Sequence, residues 1–265
     1  GNTTFRRGDY ARASEFYDRA LAIKTKIFGA EHPEVATAYN DWGNLLAEAG
    51  DNARAMDYYR QALEIREKTL GSTHPELAIS YNNIANMYAD TREGAKALEY
   101  YRKALAILEK EFGTEHPDVA STYMNIGAVY ADLEEDAQAM DYYRRALAIK
   151  EKLYGEEHPS VAMSYSNIGL LYYWQGNYDE ALENFRRALA IRENVLGGEH
   201  PDVGKLYVHI GNVYYNQDDS AQALQWYRRG LGVLLPVLGE ENPLVAGVRS
   251  VIAEIEAAPI SSRAH

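Results

Sequence analysis

Apolar and small residues recur along this chain at the three- and four-residue spacing of amphipathic helices, and the whole pattern repeats every 42 residues. Each period begins near a Gly-x-Glu-His-Pro phrase or a close copy, and no insertion breaks the register from Pro33 to Pro243. Proline suits the first turn of a helix, and glycine suits the turn that ends one. A strict period of this length predicts stacked supersecondary units, none of which buries its apolar face alone.

One period, residues 33–74, shows what each unit contains. Apolar or small residues follow Pro33 at helical spacing as far as Leu46, and a Gly-Asp pair at Gly50 indicates a tight turn. A second helical pattern then runs to Gly71. Each unit is therefore predicted to be two antiparallel helices, and the chain an all-α solenoid. Aromatic and small residues return in fixed columns, which we interpret as packing positions.

The period also predicts the organisation of the chain. Residues 9–28 match only a second helix and residues 1–5 only the end of a first one, so the array begins in the middle of a repeat. We interpret this as a fragment of a longer protein, or as an edge that a partner covers. The predicted single array over 1–257 consists of a partial repeat 1–32, full repeats 33–74, 75–116, 117–158, 159–200 and 201–242, and a terminal helix 243–257, followed by a frayed tail 258–265.

These columns resemble the tetratricopeptide repeat, with an aromatic, Gly and Tyr on the first helix and Ala, an aromatic and Ala on the second. The 42-residue spacing, clearest over 62–84 and 104–126, is similar to the kinesin light chain subtype. The resemblance extends over about residues 8–257. It implies a superhelix of antiparallel helix pairs with a concave groove that binds proteins.

Composition narrows the function further. The formal net charge of −12 disfavours binding to nucleic acid or to anionic membrane surfaces, and no apolar run approaches the 18 residues of a membrane span. The absence of cysteine excludes disulfides and fits a cytoplasmic protein. No catalytic motif is present, so we expect neither an enzyme nor a cofactor. The five histidines before proline lie one per repeat, too far apart to share a metal ion, and are expected to pack or cap the loops.

On each first helix, the stripe opposite the packing face is implied by the resemblance to line the groove. Asn83, Asn125 and Asn167 share one column, where their amides can either hold a peptide backbone or bond to a neighbouring repeat. The stripe is acidic near the N-terminus and apolar near the C-terminus, where Tyr173 and Trp174 are either binding hot spots or packing residues. The predicted peptide-binding residues are Asn40, Asp41, Asn44, Asn82, Asn83, Asn86, Asn125, Asp132, Asn167, Leu170, Tyr173, Trp174, Lys205, His209, Asn212 and Tyr215.

The leading hypothesis is a scaffold that binds a peptide segment of a partner protein in this groove. The resemblance to kinesin light chains would favour acidic peptides, but the stripe holds one lysine, Lys205, among several acids. We therefore expect a peptide with basic residues and an apolar anchor. The alternatives are a sensor or autoregulatory segment of a larger signalling protein, and an element that assembles end to end as a homo-oligomer through its uncapped N-terminal edge.

Overall fold

A computed structural model describes the backbone of residues 2–257 and the side chains of residues 14–257. Every regular element in that part of the chain is an α-helix, which confirms the predicted all-α solenoid class. The described helices, in order, are α1 (Asn2–Phe28), α2 (Pro33–Glu48), α3 (Asn52–Thr69), α4 (Pro75–Asp90), α5 (Gly94–Phe112), α6 (Pro117–Asp132), α7 (Asp136–Tyr154), α8 (Pro159–Trp174), α9 (Tyr178–Leu196), α10 (Pro201–Asn216), α11 (Ser220–Leu238) and α12 (Pro243–Ala257).

The chain divides into two compact units, residues 1–133 with α1–α6 and residues 134–265 with α7–α12. Within each unit every helix packs against the next one along the chain. The even-numbered helices are the first helices of the repeats, and α4 also touches α6 as α8 touches α10. The exact repeat boundaries and a single array over 1–257 stay predictions, and the tail 258–265, predicted to fray, lies outside the described residues.

Five first helices begin at the same His-Pro pair. The histidine backbone is extended, and its Nδ1 accepts a hydrogen bond from the backbone N–H two residues later, at 3.2 Å in each case. The proline stands at the first helical position, where no N–H is required. Each histidine therefore caps a helix by satisfying one of the donors that a helix start leaves open. These caps are His32, His74, His116, His158 and His200.

The turn after each first helix passes through a left-handed backbone conformation at one fixed position. Gly50 and Gly176 adopt it with φ of +83° and +76°, at little steric cost because glycine has no β-carbon. Arg92, Glu134 and Asp218 hold the equivalent positions with φ of 59–60°. The β-carbon makes that conformation unfavourable by about 1 kcal/mol in such residues.

The two helices of a pair approach closely where a small residue lies under an aromatic ring. A β-carbon built at Gly43 would come within 2.6 Å of the Tyr59 ring, and one at Gly211 within 2.8 Å of the Tyr227 ring. Ala85 holds the equivalent position on α4 and is fully buried, so one methyl group can be accommodated there. Small residues on the first helix therefore set the spacing of each pair.

Candidate protein-binding surface

Each first helix carries four residues spaced by four, three and four positions, which place their side chains on one side of the helix. We call this set the open stripe. It holds Thr37, Asp41, Asn44 and Glu48 on α2; Ile79, Asn83, Asn86 and Asp90 on α4; Ser121, Asn125, Ala128 and Asp132 on α6; Met163, Asn167, Leu170 and Trp174 on α8; and Lys205, His209, Asn212 and Asn216 on α10.

In the first unit, side-chain amides bridge neighbouring first helices. The Nδ2 of Asn83 donates to Oδ1 of the buried Asn40 at 2.8 Å, which joins α4 to α2. The Nδ2 of Asn125 donates to Oδ1 of Asn86 at 3.4 Å, and that of Asn82 donates to Oγ1 of Thr122 at 3.2 Å. Of the two roles that the sequence left open for this column, bonding between repeats is the one these contacts display.

Other stripe asparagines accept hydrogen bonds from the second helix of their own pair. The Tyr59 hydroxyl donates to Oδ1 of Asn44 at 2.8 Å, and Tyr101 donates in the same way to Asn86. Burial, with a contribution from Glu48, raises the pKa of Tyr59 to about 12, so its phenol stays a neutral donor at physiological pH. These amides fix the helix pairs, which leaves them less capacity for a ligand.

Several polar groups of the first-unit surface have no such role. Asp41 and Asp132 are exposed on α2 and α6, and together with Asp90 they make these stripes acidic. The carbonyl oxygen of Asn82 is buried and has no hydrogen-bond partner among the described residues. Such an oxygen is unfavourable unless something donates to it, and among the described residues of this unit it is the one buried side-chain acceptor without a partner.

The open stripe of α8 has Leu170 and Trp174 at its last two positions, where that of α4 has Asn86 and Asp90; the first position is apolar on both helices. Trp174, the last residue of α8, is 77% exposed and Met163 is 44% exposed. Leu170 lies half-buried between them on the same side of the helix. Asn167, also half-buried, has no hydrogen-bond partner within the described part of the chain. Two exposed apolar side chains therefore flank a free amide, one or two helical turns away on either side.

Aromatic side chains beside the stripe extend this surface towards α10. The Tyr173 ring meets Trp174 edge-on with centroids 5.0 Å apart, and its hydroxyl accepts a hydrogen bond from Nδ2 of Asn216 at 2.8 Å. The Tyr215 hydroxyl donates to Oε1 of Glu254 at 3.2 Å. Tyr173 is thus held in place by α10, while Trp174 stays open to solvent.

The open stripe of α10 is largely committed to contacts within the second unit. The ammonium of Lys205 lies 3.0 Å from Oδ1 of Asp202, so its charge is compensated. His209 stacks on Phe185 with centroids 5.3 Å apart, and burial, helped by Lys205, lowers its pKa to about 4. The neutral His209 is therefore a packing residue. Asn212 accepts a hydrogen bond from the Tyr227 hydroxyl at 2.8 Å.

Some first helices contact a buried cation from the preceding second helix. This feature was not predicted from the sequence. Arg66 bonds to Ser80 at 2.7 Å and to the carboxylate of Glu76 at 3.1 Å. In the second unit the equivalent residue is Lys150, whose ammonium donates to Ser164 at 3.3 Å. Burial lowers the pKa of Lys150 to about 8. The signal was available, because a charged residue recurs at an otherwise apolar position of the second helix.

A second missed signal is a spacing of 15 residues between an asparagine and a tyrosine. It marks the hydrogen bonds of Asn44 and Asn212 with the tyrosines of their own pairs. In α8 and α9 the same two positions hold Leu170 and Phe185, so the amide and the hydroxyl are lost together. This pairing explains why the α8 stripe can be apolar without leaving a buried hydroxyl unpaired.

Within the described residues, no group of three or more His, Cys, Asp or Glu side chains is arranged to hold a metal ion. None of their helices combines the length and apolar character needed to cross a membrane.

Comparison with known proteins identifies the family. The sequence profile of the tetratricopeptide repeat matches residues 1–68, 76–152 and 160–235, well over half of the chain. The chain belongs to the tetratricopeptide repeat family. No curated protein matches this tetratricopeptide repeat chain by sequence.

Solved structures show similar solenoids. BtubC (BKLC) from P. vanneervenii is 26% identical with a TM-score of 0.69, over 94% of this chain and 93% of that one. A Podospora anserina kinesin light chain protein with nearly identical TPR-like repeats is 22% identical with a TM-score of 0.65, over 78% and 98% of the two chains. The Rap conjugation gene regulator of plasmid pLS20, solved with the Phr* peptide, is 16% identical with a TM-score of 0.69, over 87% and 61%. These neighbours share the solenoid fold of this chain, and one of them carries the kinesin light chain name of the subtype that the 42-residue spacing resembles.

Proposed function

We propose that this tetratricopeptide repeat chain is a scaffold that binds a peptide segment of a partner protein on the open stripe of α8. The role as an interaction scaffold follows from the family and its structural neighbours. The choice of α8 rests on one observation, the apolar stripe formed by Met163, Leu170 and Trp174 around the unpartnered amide of Asn167. Binding, rather than catalysis, is the activity that this arrangement supports.

The physical argument starts from exposed area. Large aromatic side chains in water are unfavourable, and tryptophan is enriched among the residues that carry most of the binding energy at interfaces. Trp174 has the most exposed large apolar side chain of the described residues. Its ring is positioned by Tyr173, which α10 holds through Asn216, so little conformational entropy is lost on binding. We therefore assign the apolar anchor of the partner to the Trp174 end of the stripe.

The amide of Asn167 supplies the second part of the interaction. An asparagine side chain can donate to a peptide carbonyl and accept from a peptide N–H without reading the side chain between them. Because Asn167 stands between Met163 and Leu170 on one side of α8, an extended segment lying along the helix would meet all three. This part of the contact would favour an extended main chain over a particular sequence.

Charge favours a basic partner. The chain has a formal net charge of −12, and Asp179 and Glu180 lie in the first turn of α9, directly after the α8 turn. The one lysine of the stripes, Lys205, is compensated by Asp202. We therefore propose a segment with an apolar anchor next to lysine or arginine. The Rap regulator, with its bound Phr* peptide, is a distant example of a similar fold that binds a peptide.

The test begins with selection of peptides from a random display library against the whole chain. The selected peptides should combine an apolar or aromatic anchor with basic residues. Affinities for one such peptide would then be measured by fluorescence anisotropy. Trp174→Ala should weaken binding about 30-fold, the effect of roughly 2 kcal/mol for a hot-spot aromatic. Asn167→Ala should weaken it about 5-fold, as for one hydrogen bond.

A control is Val195→Ala, which truncates another exposed apolar side chain, on α9. It should leave the affinity unchanged. If the Trp174 variant binds the selected peptides as tightly as the parent chain, while its thermal melt is unchanged, the α8 stripe is not the binding surface.

A further inference from the structure

In four of the full repeats a cation lies beside aromatic rings, always at the same position of the second helix. The ammonium of Lys103 lies 4.8 Å from the centre of the Tyr100 ring, and the guanidinium of Arg229 lies 4.2 Å from the centre of the Tyr207 ring. The electron-rich face of an aromatic ring attracts such a cation. The cations of this column, 42 residues apart, are Lys103, Arg145, Arg187 and Arg229.

In three of these repeats a carboxylate lies beside the cation, one turn earlier on the same helix. Opposite charges four residues apart on a helix attract each other, so the carboxylate helps to hold the cation next to the rings. The pairs are Lys103 with Glu99 at 2.7 Å, Arg145 with Asp141 at 2.8 Å and Arg187 with Glu183 at 3.0 Å.

The first full repeat lacks the cation but keeps the groups that surround it. Gln61 stands at the cation position, and Asp57 stands at the carboxylate position. The Tyr39 and Tyr58 rings lie together, with centroids 5.7 Å apart. Asp57 is exposed and has no hydrogen bond or ion pair within the described residues. An aromatic pair and an unpaired carboxylate therefore stand where the other repeats supply a cation.

A cavity of about 340 Å³ lies at this place. Arg54, which belongs to its lining, lies 5.7 Å from the centre of the Trp42 ring and 3.6 Å from Oδ2 of Asp51. A carboxylate other than Asp57 thus compensates the charge of Arg54, and the charge of Asp57 is left for a further cation. The lining consists of Leu21, Tyr39, Arg54, Asp57, Tyr58 and Gln61.

We propose that this cavity binds an arginine or lysine side chain of a partner protein, whose charged group takes the place that Lys103 has in the next repeat. The rings of Tyr39 and Tyr58 attract the cation, and Asp57 forms the ion pair. Leu21 packs against the methylene stem of the bound side chain. The chain itself provides the precedent, because four of its own cations occupy the equivalent place.

Of the two side chains, arginine fits the cavity better. Three of the four equivalent cations are arginines, and a planar guanidinium can stack on a ring while it bonds to a carboxylate. The net charge of −12 attracts a basic partner from a distance. Because the cavity is formed by α1, α2 and α3, the proposal does not depend on peptide binding at α8.

The test uses arginine blocked at both ends, N-acetyl-arginine amide, as the probe. It would be titrated into the isotope-labelled whole chain and followed by two-dimensional NMR. The amide signals of the cavity residues should shift to saturation. The same compound made from citrulline has a neutral group of nearly the same shape, and it should bind about 10-fold more weakly. Blocked lysine should bind within a few-fold of blocked arginine, since both carry the charge.

The decisive variant fills the cavity with a cation of the chain itself. Gln61→Arg would place a guanidinium beside Asp57, as Arg145 stands beside Asp141, so the fold should be kept and the thermal melt should not fall. The dissociation constant of the probe should rise about 10-fold or more. Asp57→Asn should raise it about 5-fold, the effect of one exposed ion pair.

Two controls separate this site from general charge effects and from the α8 stripe. Ala106→Arg adds the same charge at an exposed position of α5 outside the cavity lining, and it should leave the affinity for the probe nearly unchanged. Trp174→Ala should leave it unchanged as well.

Three outcomes would overturn the proposal. The first is a parent chain whose cavity signals do not shift at the highest soluble concentration of blocked arginine. The second is equal affinity for the arginine and citrulline probes, because the cavity would then not recognise a cation. The third is a Gln61→Arg variant that binds the probe as tightly as the parent chain, because the shifts would then come from another place.

Discussion

Helices α4 and α8 occupy the same place in their repeats, yet they differ in where their polar groups find partners. On α4, Asn83 and Asn86 are hydrogen-bonded to neighbouring helices. On α8, Asn167 has no partner among the described residues, and Trp174 projects into solvent where α4 has Asp90. Exposed apolar patches are often interaction surfaces, so this contrast is the basis for proposing the α8 stripe, rather than the α4 stripe, as the binding surface.

The two helices also differ in the partners of the buried cation that each one contacts. The side chain of Arg66 contacts both Ser80 and the carboxylate of Glu76. Lys150 has a hydroxyl partner, Ser164, and Ser160 stands where Glu76 stands in the earlier repeat. One repeat scaffold thus carries a compensated buried cation beside a structural stripe and an uncompensated one beside the proposed binding stripe.

The largest expected effect comes from breaking the compensated site. Arg66→Ala would remove a side chain that is 3% exposed and leave Ser80 and Glu76 without their partner. We expect a loss of about 3 kcal/mol in the free energy of unfolding, measured by urea denaturation followed by far-UV circular dichroism. The control Arg60→Ala removes an exposed arginine of the same helix and should change stability by less than about 0.5 kcal/mol. Equal effects of the two variants would show that the Arg66 cluster contributes no special stability.

The opposite effect, a gain in stability, is expected when the buried Lys150 is replaced. Lys150→Leu would introduce the residue that α5 has at the equivalent position, Leu108, and would remove a buried charge. At pH 7 the lysine is charged in both the folded and the unfolded chain, and the pKa of about 8 in the folded state corresponds to about 3 kcal/mol of burial cost. We expect the variant to be more stable than the parent by about 2 kcal/mol at pH 7.

This gain should depend on pH with a definite sign. Between pH 8 and about 10.5 the unfolded chain binds a proton at Lys150 that the folded chain has released, so the stability of the parent rises with pH. The advantage of Lys150→Leu should therefore shrink through that window. Lys152→Leu, at an exposed neighbouring position, is the control and should show no such trend. An advantage that stays constant from pH 7 to pH 10 would contradict the assignment.

The smallest expected effect concerns Leu170 and Phe185, the apolar pair that stands where another repeat has Asn212 and Tyr227. Phe185→Tyr alone would bury a hydroxyl opposite Leu170, and Leu170→Asn alone would place an amide opposite the Phe185 ring. Together they recreate the Asn212–Tyr227 hydrogen bond in α8 and α9. A double-mutant cycle on unfolding free energies should give a favourable coupling of about 1 kcal/mol. Strictly additive effects would mean that the two positions vary independently.

Much of the fold could be predicted from local sequence. Pro33 and the Gly50 turn set the bounds of the first helix of a repeat, and the structure has α2 at Pro33–Glu48 and α3 at Asn52–Thr69. The histidine caps also follow from local chemistry, because the partner N–H lies two residues away. Such features need no knowledge of tertiary contacts.

The roles of the stripe residues could not be predicted in the same way. Whether Asn83 bonds to Asn40 or to a ligand depends on the distance between two helices about 40 residues apart in sequence. A difference of a few tenths of an ångström in that distance decides whether the hydrogen bond forms. His209 shares a column with Asn167, yet it stacks on Phe185 because of side-chain packing that periodicity does not report. Exposure of Trp174 follows from its place at the end of α8, which the pattern does indicate.

The left-handed turns after the first helices bear on how far such a chain can be altered. Gly50 and Gly176 occupy this position without strain, whereas Arg92, Glu134 and Asp218 hold it against the steric preference of their β-carbons. The strained turns lie at the ends of the helices, away from the centres of the stripes. Replacing one of these three residues by glycine would remove the steric cost. The stability gained could offset what a more exposed or more polar binding surface loses.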